Sequence, residues 1–482
     1  MTKEMLYQFF ETTIWLYLAT PLFLGFGAYI TYKARLIQFR YVKDILDMLF
    51  EKPENRAGIT PFQAFSLSLG SRIGAGKIVG VALAIGIGGP GAIFWLWVSS
   101  FIGMTLTLIE NVLSQVYKVK QGDLYQGGPA YYIREGLNSP KMGAFYAVLM
   151  IVIYGVFLNS IQTSALVATI NSTFDFDPLY FIMFMMMVVS VIIFGGLRRI
   201  AHVTQAVIPF LLLFYAGITF YIVASHISDI PRVFSLIISS AFGAKEILGG
   251  GFGIVVMEGM RNGILSHETG VGTVSVAGAT ANTRHPVNQG LIQSLGIFLD
   301  TFIMSTGTAF IILQTGLYDK GVLNGMLLMQ ASMSVHLGNI GPYIISVMLL
   351  LFSLTTFISN YYYGEANMTY LSHNRKVLIG YRVLIIGVMF MGVFMNLGQL
   401  WNIAIILIGI AILFNLITLC FLSKTAYKVI NHYVDERRKG IKQPQFYQDS
   451  IEGLKGVECW PVKIPPKEMM HEDRYFKAMP PQ

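Results

Sequence analysis

Glycines, an arginine and a lysine share one apolar stretch near the start of the chain, residues 66–97. Gly74 and Gly76 weaken a helix locally. Arg72 and Lys77 are costly at bilayer depth unless they pair or face a wet cavity. A broken membrane helix that lines a binding site meets both conditions. Its unwound backbone offers N–H groups to an anion and carbonyls to a cation, as in secondary transporters.

The composition indicates that this stretch belongs to a polytopic membrane protein. The chain has 482 residues, of which 54% are hydrophobic and only 12% are charged. These proportions favour one membrane domain over several soluble domains. About eleven apolar runs are long enough to cross the hydrocarbon core of a bilayer. We therefore predict an all-α fold with about eleven transmembrane helices.

Basic residues alternate between the predicted loops. The loop after the first apolar run carries Lys33, Arg35 and Arg40, whereas the loop at 174–177 carries no lysine or arginine. The positive-inside rule then predicts a plasma-membrane protein with its N-terminus outside and its C-terminus in the cytoplasm. The net charge of +8 is accounted for by these loops and the tail, so a nucleic-acid partner is not expected.

A second glycine-rich interruption, GGGFG at 249–253, lies in the seventh apolar run at 247–280. Interruptions in two halves of a transporter point to an inverted repeat with the site between the broken helices. Five spans in each half would give the halves opposite orientations. The predicted organisation is an extra N-terminal helix and basic loop (1–61), a first five-helix repeat (62–226), a second inverted five-helix repeat (227–423) and a partly flexible cytoplasmic tail (424–482).

Several motifs resemble those of the alanine or glycine:cation symporter family. They include RIGAGKI at 72–78, GGPGA at 88–92, GGPAYY at 127–132 and GILSHETG at 263–270. Shorter matches follow at 285–287, 300–301, 355–356 and 362–365, in the expected order. The resemblance implies a leucine-transporter-like core that moves small neutral amino acids inward with sodium.

Gly74, Ala75 and Gly76 form the predicted carboxylate cradle. Where the helix unwinds, N–H groups lose their partners and point into the cavity beside a positive helix end. The alternative is that small residues only allow close helix packing, and the resemblance favours substrate contact. Further substrate contacts are predicted from the second break and the fourth apolar run, at Gly250, Gly251, Phe252 and Gln162. For Phe252, simple packing is the competing interpretation.

Lys77 departs from the family pattern. The family usually has asparagine here, and the resemblance implies that its oxygen ligates a sodium ion that also touches the substrate carboxylate. A charged ammonium has no lone pair to offer a cation. We hypothesise that Lys77 replaces this sodium and pairs with the carboxylate, or couples transport to a proton. The alternative is that Lys77 snorkels or pairs with Glu110, Glu258 or Glu268.

A second sodium site is implied by the resemblance at Thr355 and Thr356, whose hydroxyls would be joined by carbonyls near Ser71 and Gly74. Hard oxygen ligands suit a hard monovalent cation. The alternative is that both threonines bond back to the preceding helical turn, which is common for buried threonines.

The predicted function is secondary active uptake of a small neutral amino acid, alanine or glycine with glutamine as a further candidate, by sodium symport. The competing functions are a sodium-independent or proton-coupled carrier or exchanger, and a transporter-derived sensor that signals through its tail. The sequence contains no P-loop, zinc pattern or nucleophile elbow, so we expect neither an enzyme nor an organic cofactor. The expected partners are the amino acid, sodium or a proton, and the lipid bilayer.

Overall fold

Helices account for most of the computed structural model, which describes residues 3–52, 57–243, 251–320 and 325–462. One antiparallel ribbon joins β1 (Val119–Gln121) to β2 (Leu124–Gln126). The α-helices of the described residues are α1 (Lys3–Thr12), α2 (Thr20–Lys33), α3 (Ile37–Arg40), α4 (Val42–Leu49), α5 (Pro61–Arg72), α6 (Ala75–Gly88), α7 (Ala92–Val116), α8 (Pro129–Gly136), α9 (Pro140–Met150), α10 (Leu158–Thr173), α11 (Pro178–Ile193), α12 (Gly196–Ser225), α13 (Ile230–Ala241), α14 (Phe252–His267), α15 (Thr273–Ala279), α16 (Pro286–Phe298), α17 (Thr306–Thr315), α18 (Gly325–Leu337), α19 (Gly341–Leu371), α20 (Arg375–Gly392) and α21 (Leu397–Arg438).

Three pairs of these helices continue into one another through a π-helical segment. Thr13–Ala19 joins α1 to α2, Ile151–Phe157 joins α9 to α10, and Leu299–Ser305 joins α16 to α17. Such widened turns leave some backbone groups out of the regular hydrogen-bond ladder and often occur at functional sites. Two of the three segments contribute residues to the site described below.

The described helices make this a multi-span membrane protein. Seven stretches are long and apolar enough to cross a bilayer, and the α5–α6 pair adds an eighth if it forms one span bent by 42°. The seven stretches are Met5–Lys33, Ala92–Val116, Pro140–Thr173, Gly196–Ser225, Pro286–Thr315, Gly325–Leu371 and Leu397–Arg438.

The predicted break in the first glycine-rich stretch is confirmed as a bend between α5 and α6. Helix α5 starts with a capping box, in which Thr60 and Gln63 exchange side-chain-to-backbone hydrogen bonds of 3.1 Å. Gly74 is extended, with φ −76° and ψ 176°, and caps the start of α6. A Cβ at Gly74 would lie 2.3 Å from the Thr356 hydroxyl oxygen. Only glycine therefore lets the break approach α19 this closely.

The second glycine run lies between α13 and α14. Gly250 falls outside the described residues, and Gly251 caps the start of α14. A further interruption ends α14 at Glu268, which has a left-handed φ of 54°, and Gly270 and Gly272 also have positive φ before α15 begins. The apolar run predicted at 247–280 therefore contains a second break, which directly follows His267.

Helix α14 packs tightly against α7 through glycines. A Cβ at Gly259 would lie 2.3 Å from the Ala92 carbonyl, and one at Gly263 would lie 2.0 Å from the Ser99 hydroxyl. Small residues spaced four apart let two membrane helices approach closely. This packing holds α14 against α7, the most buried of the seven long spans among the described residues.

The described part of the C-terminal tail is packed, in contrast to the flexible extension predicted for it. The Phe446 amide donates to the Arg284 carbonyl at 2.9 Å, and the Trp460 indole donates to the Gln115 carbonyl at 3.0 Å. Both aromatic side chains are buried. Two aromatic anchors that sequence reasoning did not single out therefore hold residues 441–462 against the ends of the membrane helices.

Candidate substrate and ion site

A cavity of about 100 Å³ opens at the bend between α5 and α6. Helices α10, α14, α19 and α21 and the π-helical segment 151–157 complete its wall. Its lining is mixed: the apolar side is contributed by Leu158, Ile161, Leu265, Val271, Trp401 and Ile408, and the polar side by Ser71, Arg72, Lys77, Gln162, Asn262, Ser266, Glu268, Thr356 and Asn360. A small, partly apolar space with convergent polar groups suits a small polar ligand.

Lys77 reaches the cavity from the first turn of α6 and forms an ion pair with Asp300. Asp300 lies on the π-helical segment Leu299–Ser305, and both side chains have 0% exposure. The three glutamates considered as partners from the sequence are engaged elsewhere. Glu110 accepts from the Gly270 amide and Asn415, Glu258 pairs with Arg261, and Glu268 accepts from two hydroxyls.

Arg72, five residues before Lys77, is held by neutral oxygens. Its guanidinium donates to the Ser68 hydroxyl at 2.8 Å and to the Gln293 amide oxygen at 2.9 Å, and makes longer bonds of 3.3 Å to both backbone carbonyls. A Cβ at Gly296 would lie 2.5 Å from this group, so glycine makes room for it. Arg72 thereby ties the end of α5 to α16.

Glu268 follows the last residue of α14 and lines the cavity beside the bend. Its Oε2 atom accepts from Ser71 at 2.9 Å and from Thr273 at 2.7 Å. The Ser71 hydroxyl also lies 3.1 Å from the Tyr363 hydroxyl. The Glu268 carboxylate therefore accepts hydrogen bonds from one short side chain of α5 and from one at the start of α15.

The residues predicted for the sodium site lie between α5 and α19. The Thr356 hydroxyl lies 3.3 Å from the Gly70 carbonyl and 3.0 Å from the Phe352 carbonyl, and Thr355 donates to the same Phe352 carbonyl at 2.8 Å. The backbone of Gly74 lies against the Thr356 hydroxyl. The Ser71 hydroxyl donates to Glu268 and does not face the threonines. Both threonines thus bond back within α19, as the competing interpretation expects, and Thr356 also faces the carbonyl end of α5.

The substrate residues predicted outside the first break differ in position. Gln162 lines the cavity and donates to the Ser353 hydroxyl at 2.5 Å. Phe252 is not among the described cavity-lining residues, and its ring lies edge-on to Trp95 at 5.9 Å. Gly76 lines the cavity, and a Cβ there would meet no atom within 4 Å.

Sequence reasoning missed several cavity residues. Asn360 lies one helical turn after Thr356 and shares its face of α19, which is the signal that could have identified it. Tyr154 lies on the π-helical segment 151–157, which no hydropathy pattern distinguishes from ordinary helix. Asn262, Ser266 and Trp401 also line the cavity.

The model of the sodium:alanine symporter family matches residues 1–448. The chain belongs to the sodium:alanine symporter family. One relative of this symporter, the probable sodium/glutamine symporter GlnT of Bacillus subtilis, is 38% identical and aligns over 93% of this chain and 94% of its own length. The amino-acid carrier protein AlsT of the same organism is also 38% identical, over 93% and 95% of the two chains. The sodium/proton-dependent alanine carrier protein of Bacillus sp. PS3 is 32% identical, over 84% and 94%.

Among solved structures, the manganese transporter of Eremococcus coleocola is similar, with 12% identity and a TM-score of 0.49 over 73% of this chain and 76% of the other. Family membership makes this symporter a membrane transporter rather than an enzyme.

Proposed function

We propose that this symporter takes up a small neutral amino acid, alanine or glycine in the first place, through the cavity at the α5–α6 bend. The observation that carries the proposal is the position of Lys77, a cation in the wall of a cavity of about 100 Å³. The substrate carboxylate would bind Lys77 and the backbone N–H groups of Ala75 and Gly76 in the first turn of α6, where a helix start favours anions.

The coupling ion in this proposal is sodium, bound between Thr355, Thr356 and the carbonyls near Ser71 and Gly74. Hydroxyl and carbonyl oxygens are the ligands that hard cations prefer. The relatives carry names of both sodium and sodium/proton carriers. A proton-coupled carrier, in which Lys77 replaces one sodium, is therefore the second candidate.

Two five-helix halves, 62–226 and 227–423, would move against each other around this cavity, with the N-terminus outside and the C-terminus in the cytoplasm of a plasma-membrane protein. Each half begins near a glycine-rich helix interruption, and the basic loops favour this orientation. The amino acid would thus be carried inward from outside the cell.

Proteoliposomes provide the test. Uptake of labelled alanine, glycine and glutamine is measured with sodium, potassium and pH gradients imposed one at a time. We expect alanine or glycine to accumulate with an inward sodium gradient, or with a proton gradient for the second candidate. No accumulation of any of the three amino acids under any gradient would contradict the proposal.

A pair of glycine variants tests the location of the site. Gly76→Leu should reduce uptake about tenfold or more, because the leucine side chain would occupy the cavity that the substrate is proposed to fill, and a loss of about 1.4 kcal/mol of substrate binding is tenfold. Gly217→Leu on α12 is the matched control, since a Cβ at either glycine meets no atom within 4 Å but Gly217 lies outside the cavity. Equal uptake by the two variants would place the substrate elsewhere.

A further inference from the structure

The Lys77–Asp300 pair connects the cavity to a buried carboxylate behind it. Lys77 lines the cavity, while Asp300 does not. Both side chains are fully shielded from solvent, and they come from different helices, α6 and the segment between α16 and α17. A ligand that attracts Lys77 from the cavity side therefore acts on Asp300 without touching it.

The negative charge of Asp300 is balanced by the ammonium of Lys77. Apart from Lys77, neither carboxylate oxygen has a hydrogen-bond partner among the described residues. The neighbouring hydroxyls are used otherwise: Thr301 donates to Ser100 at 2.7 Å, and Ser305 donates to the backbone carbonyl of Asp300 at 3.3 Å. A buried charge that loses its partner is strongly unfavourable.

The other ionisable groups around Asp300 cannot take over this role. Arg72 and Glu268 interact with it electrostatically, together with Lys77. Arg72 already makes four hydrogen bonds to Ser68 and Gln293, and Glu268 carries the same charge as Asp300. When a substrate carboxylate binds Lys77, two carboxylates share one ammonium in a dry environment.

We propose that Asp300 is the coupling residue of this symporter: it takes up one monovalent cation, sodium or a proton, when the substrate carboxylate engages Lys77. The inference rests on the proposed function, because it needs a carboxylate at Lys77. The cation replaces the lost ammonium, and its release on the other side of the membrane restores the ion pair. The exchange involves no covalent step, and each substrate carries one cation at Asp300, separate from the sodium proposed at Thr355 and Thr356.

The test measures how strongly cation and substrate binding depend on each other. Alanine affinity of purified wild-type protein is determined with sodium against potassium at constant pH, and across pH at constant ionic strength. Coupling between two ligands is typically about 5–150-fold in affinity. We expect a factor in this range for one of the two cations in the wild type. Asp300→Asn should lower that factor at least about fivefold, and only the part due to sodium at Thr355 and Thr356 should remain. A wild-type factor near one for both cations would overturn the inference.

Glu365→Gln is the matched control. Glu365 forms an ion pair with Arg382 at 2.7 Å between α19 and α20, outside the cavity, and this variant should keep the wild-type factor. An undiminished factor in Asp300→Asn would overturn the inference. Failure of wild-type protein to bind alanine, glycine or glutamine would instead contradict the proposed function, so the two failures are distinguishable.

If Asp300→Asn does not fold, the thermal midpoint of Lys77→Met tests whether Asp300 binds the cation. In substrate-free Lys77→Met, Asp300 has lost its ammonium and should bind the cation without substrate. Sodium or lower pH should then raise the thermal midpoint of Lys77→Met, because a ligand of the native state stabilises it. Lys77→Met/Asp300→Asn should show no such rise. An equal response of both variants would exclude Asp300 as the cation site.

Discussion

Arg72 and Lys77 are two buried cations five residues apart, yet their surroundings differ. Arg72 makes four hydrogen bonds to neutral oxygens of α5 and α16. Among the described residues, Lys77 has one anionic partner, Asp300, and it lines the cavity. The planar fork of an arginine suits several fixed acceptors at once, whereas a lysine is a compact charge on a flexible stem. The difference indicates a fixed clamp before the bend and a movable charge after it.

The bend explains why the two roles can lie so close together. Arg72 is the last residue of α5 and is bound to the rigid packing of that helix against α16. Lys77 lies in the first turn of α6, beyond the extended Gly74. A change in the bend angle can therefore move Lys77 relative to Asp300 while Arg72 keeps its bonds. Substitutions at each position test whether Arg72 is fixed and Lys77 is movable.

Lys77→Met should have the largest effect. It leaves Asp300 charged and alone, and breaking a buried pair costs about 3–5 kcal/mol. The proposed contact between the ammonium and the substrate carboxylate is also lost, and truncating one partner of a buried charge pair costs about 2–5 kcal/mol of binding. We therefore expect alanine uptake to fall by at least about 100-fold, which corresponds to about 2.7 kcal/mol. Uptake per folded protein is measured in proteoliposomes. Retention of more than a tenth of wild-type uptake would show that Lys77 does not contact the substrate and would remove the contrast.

Arg72→Lys should affect stability and spare transport. Lysine cannot reproduce the fork, so acceptors at Ser68 and Gln293 are left unsatisfied, at a cost of about 1–3 kcal/mol. Thermal unfolding should show the loss, while the cation dependence of alanine affinity stays as in the wild type. Arg232→Lys, on an exposed side chain, is the control. If Arg72→Lys changed the cation dependence of alanine affinity and left the thermal stability unchanged, Arg72 would not be a fixed clamp and would take part in coupling together with Lys77.

The sequence predicted the bend but not the partner of Lys77. Glycines and charges in one apolar run are local features, and they indicate a broken helix directly. Asp300 stands in the family match at 300–301, but it lies more than 200 residues after Lys77, on a π-helical segment whose widened turn leaves no pattern in the sequence. Nothing in the sequence therefore paired it with Lys77, and three glutamates were considered instead. The packing of Phe446 and Trp460 escaped prediction for a similar reason. Two aromatic residues in a polar tail have no periodicity that reveals a docking surface.

The hydroxyls of α19 are the proposed neutral partners of the coupling ion beside the bend. Thr356→Val removes the hydroxyl that faces the Gly70 carbonyl and keeps the side-chain volume. The half-saturating sodium concentration for uptake should rise by about tenfold, a loss typical of weakened metal sites. Thr369→Val is matched to it, since Thr369 bonds back to the Glu365 carbonyl at 2.8 Å on the same helix. Equal sodium dependence in both variants would exclude Thr356 as a ligand.

Lys118 is a third buried cation, outside the membrane spans, and its partners differ again. Its ammonium lies 4.2 Å from the Tyr125 ring centre and 4.5 Å from that of Trp460, and it donates to Gln115 at 2.8 Å. Burial lowers the pKa of Lys118 to about 7, although Cys459 opposes the shift. Lys118 and Trp460 therefore link the packed tail to the end of α7 through a titratable contact.

The smallest expected effect concerns the pH dependence of this contact. An unfolded lysine titrates near 10.5, so between about pH 7 and 10.5 the unfolded chain binds more protons than the folded chain, and the free energy of unfolding rises with pH. Below pH 7 both states are protonated and the contribution is constant. Thermal midpoints at pH 7 and 9 should show a smaller rise in Lys118→Met than in the wild type, with the exposed Lys120→Met as control. Because both aromatic rings favour the charged ammonium and reduce this rise, identical slopes in all three proteins would mean that the rings, rather than burial, set the charge of Lys118.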